Sequence, residues 1–179
     1  MKIIKILCLS LFLYLIFLSK PALAFCGFYV AKADAYFKKA IDVHPGRPTA
    51  GLYYRAGISK FKLGNKSQAI KYLKEAGLSS GPYSTLSAFQ LGRLYIQNNE
   101  TADALASYII ALSSDNKEIR EESIYQSTKL NIDLEQYAEA INYGIDYLKN
   151  FPSGKWVDEI QSLQAQCFLK TSDYSNAIN

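Results

Sequence analysis

A single histidine, His44, would have to supply every imidazole that chemistry in this 179-residue chain required. It stands between Val43 and Pro45, far along the chain from Cys167, so neither a serine triad nor a cysteine–histidine pair assembles around it. Cysteine is just as scarce. Cys8 falls in the first apolar stretch, leaving Cys26 and Cys167, too few for a disulfide framework or a zinc cluster. In an oxidising compartment those two could pair, but their places near opposite ends favour free thiols. No H-E-x-x-H, phosphate loop or G-x-G-x-x-G occurs. The acidic doublets Glu121-Glu122 and Asp158-Glu159 are chain neighbours, which diverge on a helix instead of facing one site. No cofactor, no metal and no small-molecule substrate is expected, and the chain reads as a non-enzyme.

Long apolar runs are missing too. The stretch Ile6 to Leu18 carries no charge but falls short of the roughly 20 residues that cross a bilayer. With Lys2 and Lys5 before it and Ala22-Leu23-Ala24 after it, it has the parts of a secretory signal peptide. Residues 1–24 are therefore expected to be a leader cut after Ala24, an uncleaved anchor being the alternative. Phe25 precedes Cys26 where a lipobox needs a small residue, which argues against a lipoprotein. Lys2, Lys5 and Lys20 leave with the leader, so 20 bases against 16 acids become 17 against 16. A near-neutral chain gives no case for nucleic acid. Membrane contact is expected to be peripheral at most.

What the chain does have is a period. Ala69, Ala104, Ala140 and Ala177 lie 35, 36 and 37 residues apart, and twelve residues before each stands a small or short side chain: Gly57, Gly92, Thr128 and Ala165. Small residues let backbones approach, so Gly57 is expected against Ala69 and Gly92 against Ala104. Between them come turn formers: Gly64-Asn65, Asn98-Asn99, Asp133 to Glu135, Ser172-Asp173. Apolar residues recur at three and four in Leu52-Tyr53-Ala56-Gly57-Phe61 and Ala88-Leu91-Gly92-Tyr95-Ile96, the spacing of one helix face. Breakers such as Gly81-Pro82 and Pro152-Ser153-Gly154 close the units. The chain reads as all-α, built from antiparallel helix pairs; an ordinary helical bundle with an accidental period is the alternative.

These residues resemble the tetratricopeptide repeat, whose unit is about 34 residues of helix–turn–helix. The second repeat matches best, at Ala88, Leu91, Gly92, Tyr95, Ala104, Tyr108 and Ala111. In the third, Thr128 replaces a glycine, and Gly144 and Tyr147 stand where a large and a small residue belong. The resemblance implies a right-handed superhelix, an α-solenoid, over residues 49–179, with three repeats and a truncated fourth. Ala33, Phe37, Ala40 and Pro45 have the spacing of a second helix, which makes residues 25–48 an N-terminal segment with half a repeat. No polar cap closes the far end, so the chain is expected to be a fragment of a longer protein. The run Tyr147 to Trp156, with Ser172 to Ile178, is similar to bacterial envelope proteins of the outer-membrane-assembly lipoprotein and Tol-Pal coordinator families. That resemblance implies a periplasmic or secreted scaffold whose partners are other proteins of the cell envelope. The alternative is the repeat portion of a larger secreted enzyme or polysaccharide-export component.

In such a solenoid the first helix of each pair lines the concave side. Three residues before each marker stand Tyr54, Phe89 and Tyr125; one residue after stand Ile58, Arg93 and Lys129. As a partner-binding surface they form an aromatic ladder flanked by cations, the residue types that anchor interfaces. The competing reading packs the aromatics between adjacent repeats. The lysine–asparagine–arginine clamp of chaperone-tail-binding repeats is absent, since Tyr54, Ile58, Gln90, Glu122 and Gln126 hold those places. Charge is uneven, with net +5 over residues 50–77 and net −4 over 115–150, through either solvated faces or a device that orients a partner.

Overall fold

In the computed structural model, residues 27–171 are described; the leader, Cys26 and Ala177 lie outside them. The described chain is helical, with α1 over residues 27–42. There follow α2 (Ala50–Lys62), α3 (Lys66–Gly77), α4 (Pro82–Gln97), α5 (Thr101–Ala111), α6 (Lys117–Asp133), α7 (Tyr137–Asn150) and α8 (Val157–Lys170).

The boundaries follow from local chemistry. Thr49 caps α2 by accepting from the Leu52 amide at 3.3 Å, and Asn116 caps α6 by accepting from Glu118 and Ile119 at 2.8 and 3.1 Å. Pro82 sits at the start of α4, where its missing N–H costs nothing. Inside each pair the turn hinges on one left-handed residue at the same repeat position: Gly64 (φ 75°), Asn99 (φ 59°) and Glu135 (φ 59°).

Each helix packs on its neighbours in the chain. In addition α2 touches α4, α4 touches α6 and α6 touches α8, whereas α3, α5 and α7 make no such contact with one another. The first helices therefore stand closer together than the second ones. A stack spaced tighter on one side must curve toward it, which puts α2, α4, α6 and α8 on the concave side. The architecture is an all-α solenoid of antiparallel helix pairs.

The marker residues are buried as their size suggests. Ala69, Ala104, Ala140 and Thr128 are each 0% exposed, and Ala165 is half-buried. The side chains lying nearest the two glycines come one turn beyond the alanines. A Cβ on Gly57 would stand 2.8 Å from Leu73, and one on Gly92 would stand 2.8 Å from Tyr108. The glycines are thus sockets for Leu73 and Tyr108, which lie one turn beyond the expected Ala69 and Ala104. In the third repeat, the room left by Gly144 is filled by Gln164 of α8, whose amide donates to the Ile141 carbonyl at 3.2 Å.

The core falls into two clusters. One gathers Leu73, Phe89, Leu94, Tyr95, Tyr108 and Leu130; the other gathers Ile124, Tyr125, Tyr147, Phe151 and Ile160. Between them α6 buries Ser123, Ser127, Thr128 and Asn131. Thr128 and Asn131 donate back to the carbonyls of Ile124 and Ser127, but the hydroxyls of Ser123 and Ser127 have no partner. At the other end, Lys60 of α2 donates to Asp34 of α1 at 2.8 Å, and both side chains are largely shielded from water.

Candidate interaction face

The concave residues expected to bind a partner are divided among three local environments. Phe89 is 7% exposed and meets Tyr108 edge-to-face at 5.9 Å, with the Arg93 guanidinium 5.8 Å from its ring centre. Tyr125 is 6% exposed and stacks on Trp156 with ring centres 4.6 Å apart and planes 7° from parallel. Its hydroxyl donates to Glu159 Oε1 at 2.6 Å and accepts from Lys129 Nζ at 3.1 Å. Lys129 also lies 3.7 Å from Glu159. The hydrogen bond to Tyr125 raises the Lys129 pKa above its ordinary value, so the ammonium is held charged. Burial raises the Tyr125 hydroxyl, and donation to Glu159 adds to it.

Tyr54 is half-buried, its ring centre 5.6 Å from that of Tyr83 in α4, and burial raises its hydroxyl. Ile58 is half-buried against the first core cluster. The rings of Tyr54 and Tyr125 thus lie against the following repeat, and Phe89 lies against its own second helix. The rings do not stand as a free ladder. Arg93 remains exposed on this side.

Two grooves open between α1 and α2. One, of about 390 Å³, is lined by Tyr29, Val30, Ala33 and Phe37 of α1 and by Tyr54, Ile58 and Lys62 of α2. The other, of about 620 Å³, is lined by Tyr36, Phe37 and Ala40, the start of α2 and Tyr83. Phe37 and Arg55 line both. Tyr83 lies over Gly51, where a Cβ would approach its ring to 3.0 Å. Of the residues that sequence spacing singled out, Tyr54 and Ile58 line the first of these grooves. Arg55, Tyr36 and Tyr83 escape it because they are not at equivalent repeat positions. The helical spacing of Ala33, Phe37 and Ala40 was the one available signal for α1, and it does not disclose which side chains α1 brings to α2.

His44 sits exposed in the α1–α2 loop beside Gly46, and Cys167 is a buried free thiol in α8, raised in pKa by burial. The two are placed apart. Among the described residues, no group of three metal-ligating side chains converges, and no helix is long and apolar enough to cross a membrane.

Residues 52–77 match the tetratricopeptide repeat family. No curated protein matches the sequence. The chain is similar in structure to a crystal structure of MamA, at TM-score 0.65 and 14% identity, over 83% of this chain and 77% of that one. A second MamA crystal structure gives TM-score 0.64 and 14% identity over 83% and 82%. PilF of Pseudomonas aeruginosa gives TM-score 0.59 and 13% identity over 83% and 64%. At such identities the likeness is one of fold. By sequence, residues 52–77 match the tetratricopeptide repeat; by architecture, the described residues form an all-α solenoid similar to these structures.

Proposed function

We propose that this chain is an exported scaffold that holds other proteins of the cell envelope on its concave side. The observation that carries the reading is the direct contact of α2, α4, α6 and α8, which makes one continuous inner surface from three repeats and the start of a fourth. That surface keeps Arg93 exposed and holds Lys129 half-exposed and charged. Protein partners are what a stacked-repeat surface of this size suits, since its contacts are spread over tens of ångströms and not gathered in a closed pocket. The leader pattern in residues 1–24 and the envelope-type segment Tyr147 to Trp156 support the compartment.

Two measurements test it. A photo-crosslinking residue at Arg93, used in living cells, should trap a discrete envelope protein, and the adduct should vanish when Lys129 and Ile58 are changed to Glu. A fusion of alkaline phosphatase after the last repeat should be active, because that enzyme folds only after export. An inactive fusion, or adducts formed with cytosolic proteins alone, would refute the envelope reading.

A further inference from the structure

Resting on that reading, we infer that the α1–α2 face captures an extended acidic protein segment through Arg55. The recognised pattern is a glutamate or aspartate flanked, two residues to either side, by large apolar side chains.

Arg55 is the junction of the two grooves, sharing that position with Phe37. It is exposed, and among the described residues no hydrogen bond or ion pair holds it. Lys62 lines one of the grooves and is exposed as well, but two other neighbouring cations are engaged. Lys60 is taken by Asp34 at 2.8 Å and Arg47 by Glu75 at 3.5 Å. Residues 27–77 hold ten Lys and Arg against only Asp34, Asp42 and Glu75, so two of the three local acids are already engaged. No acid of the described residues pairs with Arg55, so a bound carboxylate would meet it without a competitor, and a planar guanidinium favours a carboxylate that it can grip with two N–H groups.

The grooves specify what surrounds that carboxylate. On one side of Arg55 lie Tyr29 and Ile58, and on the other lie Tyr36 and Tyr83. Gly51 and Ile58, which mark the two grooves on α2, are separated by about 10 Å of helix at about 1.5 Å per residue. In an extended strand, residues two apart share a face, and apolar side chains at −2 and +2 stand about 13 Å apart. One apolar side chain therefore reaches each groove while the central acid meets Arg55. An uncharged apolar ligand would leave the guanidinium buried and unpaired.

The test is fluorescence anisotropy of the full chain with a labelled extended peptide that carries one glutamate between two phenylalanines at this spacing. Binding should weaken about tenfold with Arg55→Gln, the size of one charge-assisted contact. Glutamine in place of the peptide's glutamate should lose the same factor, and the two changes together should lose little more. Tyr36→Ser, at an exposed position, should weaken binding independently, and Lys71→Gln on α3 should leave it unchanged. Equal affinity for the glutamate and glutamine peptides, or an Arg55→Gln chain that binds as tightly as the parent, would overturn the assignment. Sedimentation with phosphatidylglycerol vesicles without peptide competition would overturn it in favour of a lipid surface. Arg55-dependent self-association without peptide binding would overturn it in favour of a second copy. A chain that crosslinks to an envelope protein through Arg93 but ignores the peptide keeps the scaffold and loses this site. A chain that binds the peptide but is not exported keeps this site and loses the compartment.

Discussion

Gly64, Asn99 and Glu135 occupy one place in three successive turns, all with positive φ. Glycine adopts that conformation without a steric penalty and asparagine tolerates it, but glutamate carries a strain of about 1–2 kcal/mol there. Glu135→Gly should therefore raise stability by about 0.5–1 kcal/mol, the relief of strain outweighing the extra freedom glycine gives the unfolded chain. The urea midpoint reads this, and a lowered midpoint would show that the Glu135 side chain contributes more than its backbone costs. At this scale the sequence was informative, because turn formers marked all three places. It was less informative about the sockets. Gly57 and Gly92 were visible as close approaches, yet which side chain fills them depends on the helix crossing. That crossing brings in Leu73 and Tyr108, one turn beyond the alanines that spacing suggested.

Among the elements, α6, α7 and the loop before α8 are tied by a polar latch. Tyr147 is fully buried where the first two repeats have Ala76 and Ala111, and its hydroxyl donates to Glu121 Oε1 at 2.7 Å. The same carboxylate oxygen accepts from the Lys155 amide at 2.7 Å, and the Tyr147 hydroxyl accepts from the Trp156 amide at 2.9 Å. Gly154 is required beneath it, since a Cβ there would run into the Tyr147 hydroxyl and Glu121. Burial, reinforced by donation to Glu121, pushes the Tyr147 pKa up to about 12. The folded state therefore keeps a proton that the unfolded chain releases near 10, so the Tyr147 contribution to stability is level below pH 10 and falls as pH rises from there to about 12. Tyr147→Phe should flatten that decline, with Tyr54, Tyr108, Tyr125, Tyr143 and Cys167, all raised by burial, leaving a residual slope of the same sign. It should also cost about 1–3 kcal/mol at neutral pH, because the Trp156 amide and Glu121 lose a partner. Urea midpoints taken from pH 8 to 11 test both, and an alkaline slope equal to the parent's would assign the decline to other groups.

Across the whole molecule, the two apolar clusters meet at α6, whose buried serines have no hydrogen-bond partners. A buried hydroxyl left unpaired costs about 1–3 kcal/mol, so Ser123→Ala and Ser127→Ala should each stabilise the chain by about 1 kcal/mol. Thermal unfolding measures the gain. A loss instead would mean that the hydroxyls bind water at the seam between the clusters. The same scale governs the charge distribution. Basic α1 to α3 and acidic α6 to α7 are separated by the α4–α5 pair, and no ion pair among the described residues engages Arg55.

The sequence alone determined the helix–turn–helix unit, its period, the turns and the small-residue faces, because these depend on backbone preference and on periodicity within one element. It also placed Tyr54, Ile58, Phe89, Arg93, Tyr125 and Lys129 on the first helices. Only the tertiary structure decided how these six are engaged, burying Phe89 and Tyr125, pairing Lys129 with Glu159, and opening the paired grooves around Arg55. The physical reason is that a side chain's exposure is set by whatever packs over it. For these residues the covering groups come from other helices, roughly 20 to 35 positions away, beyond the reach of any local pattern.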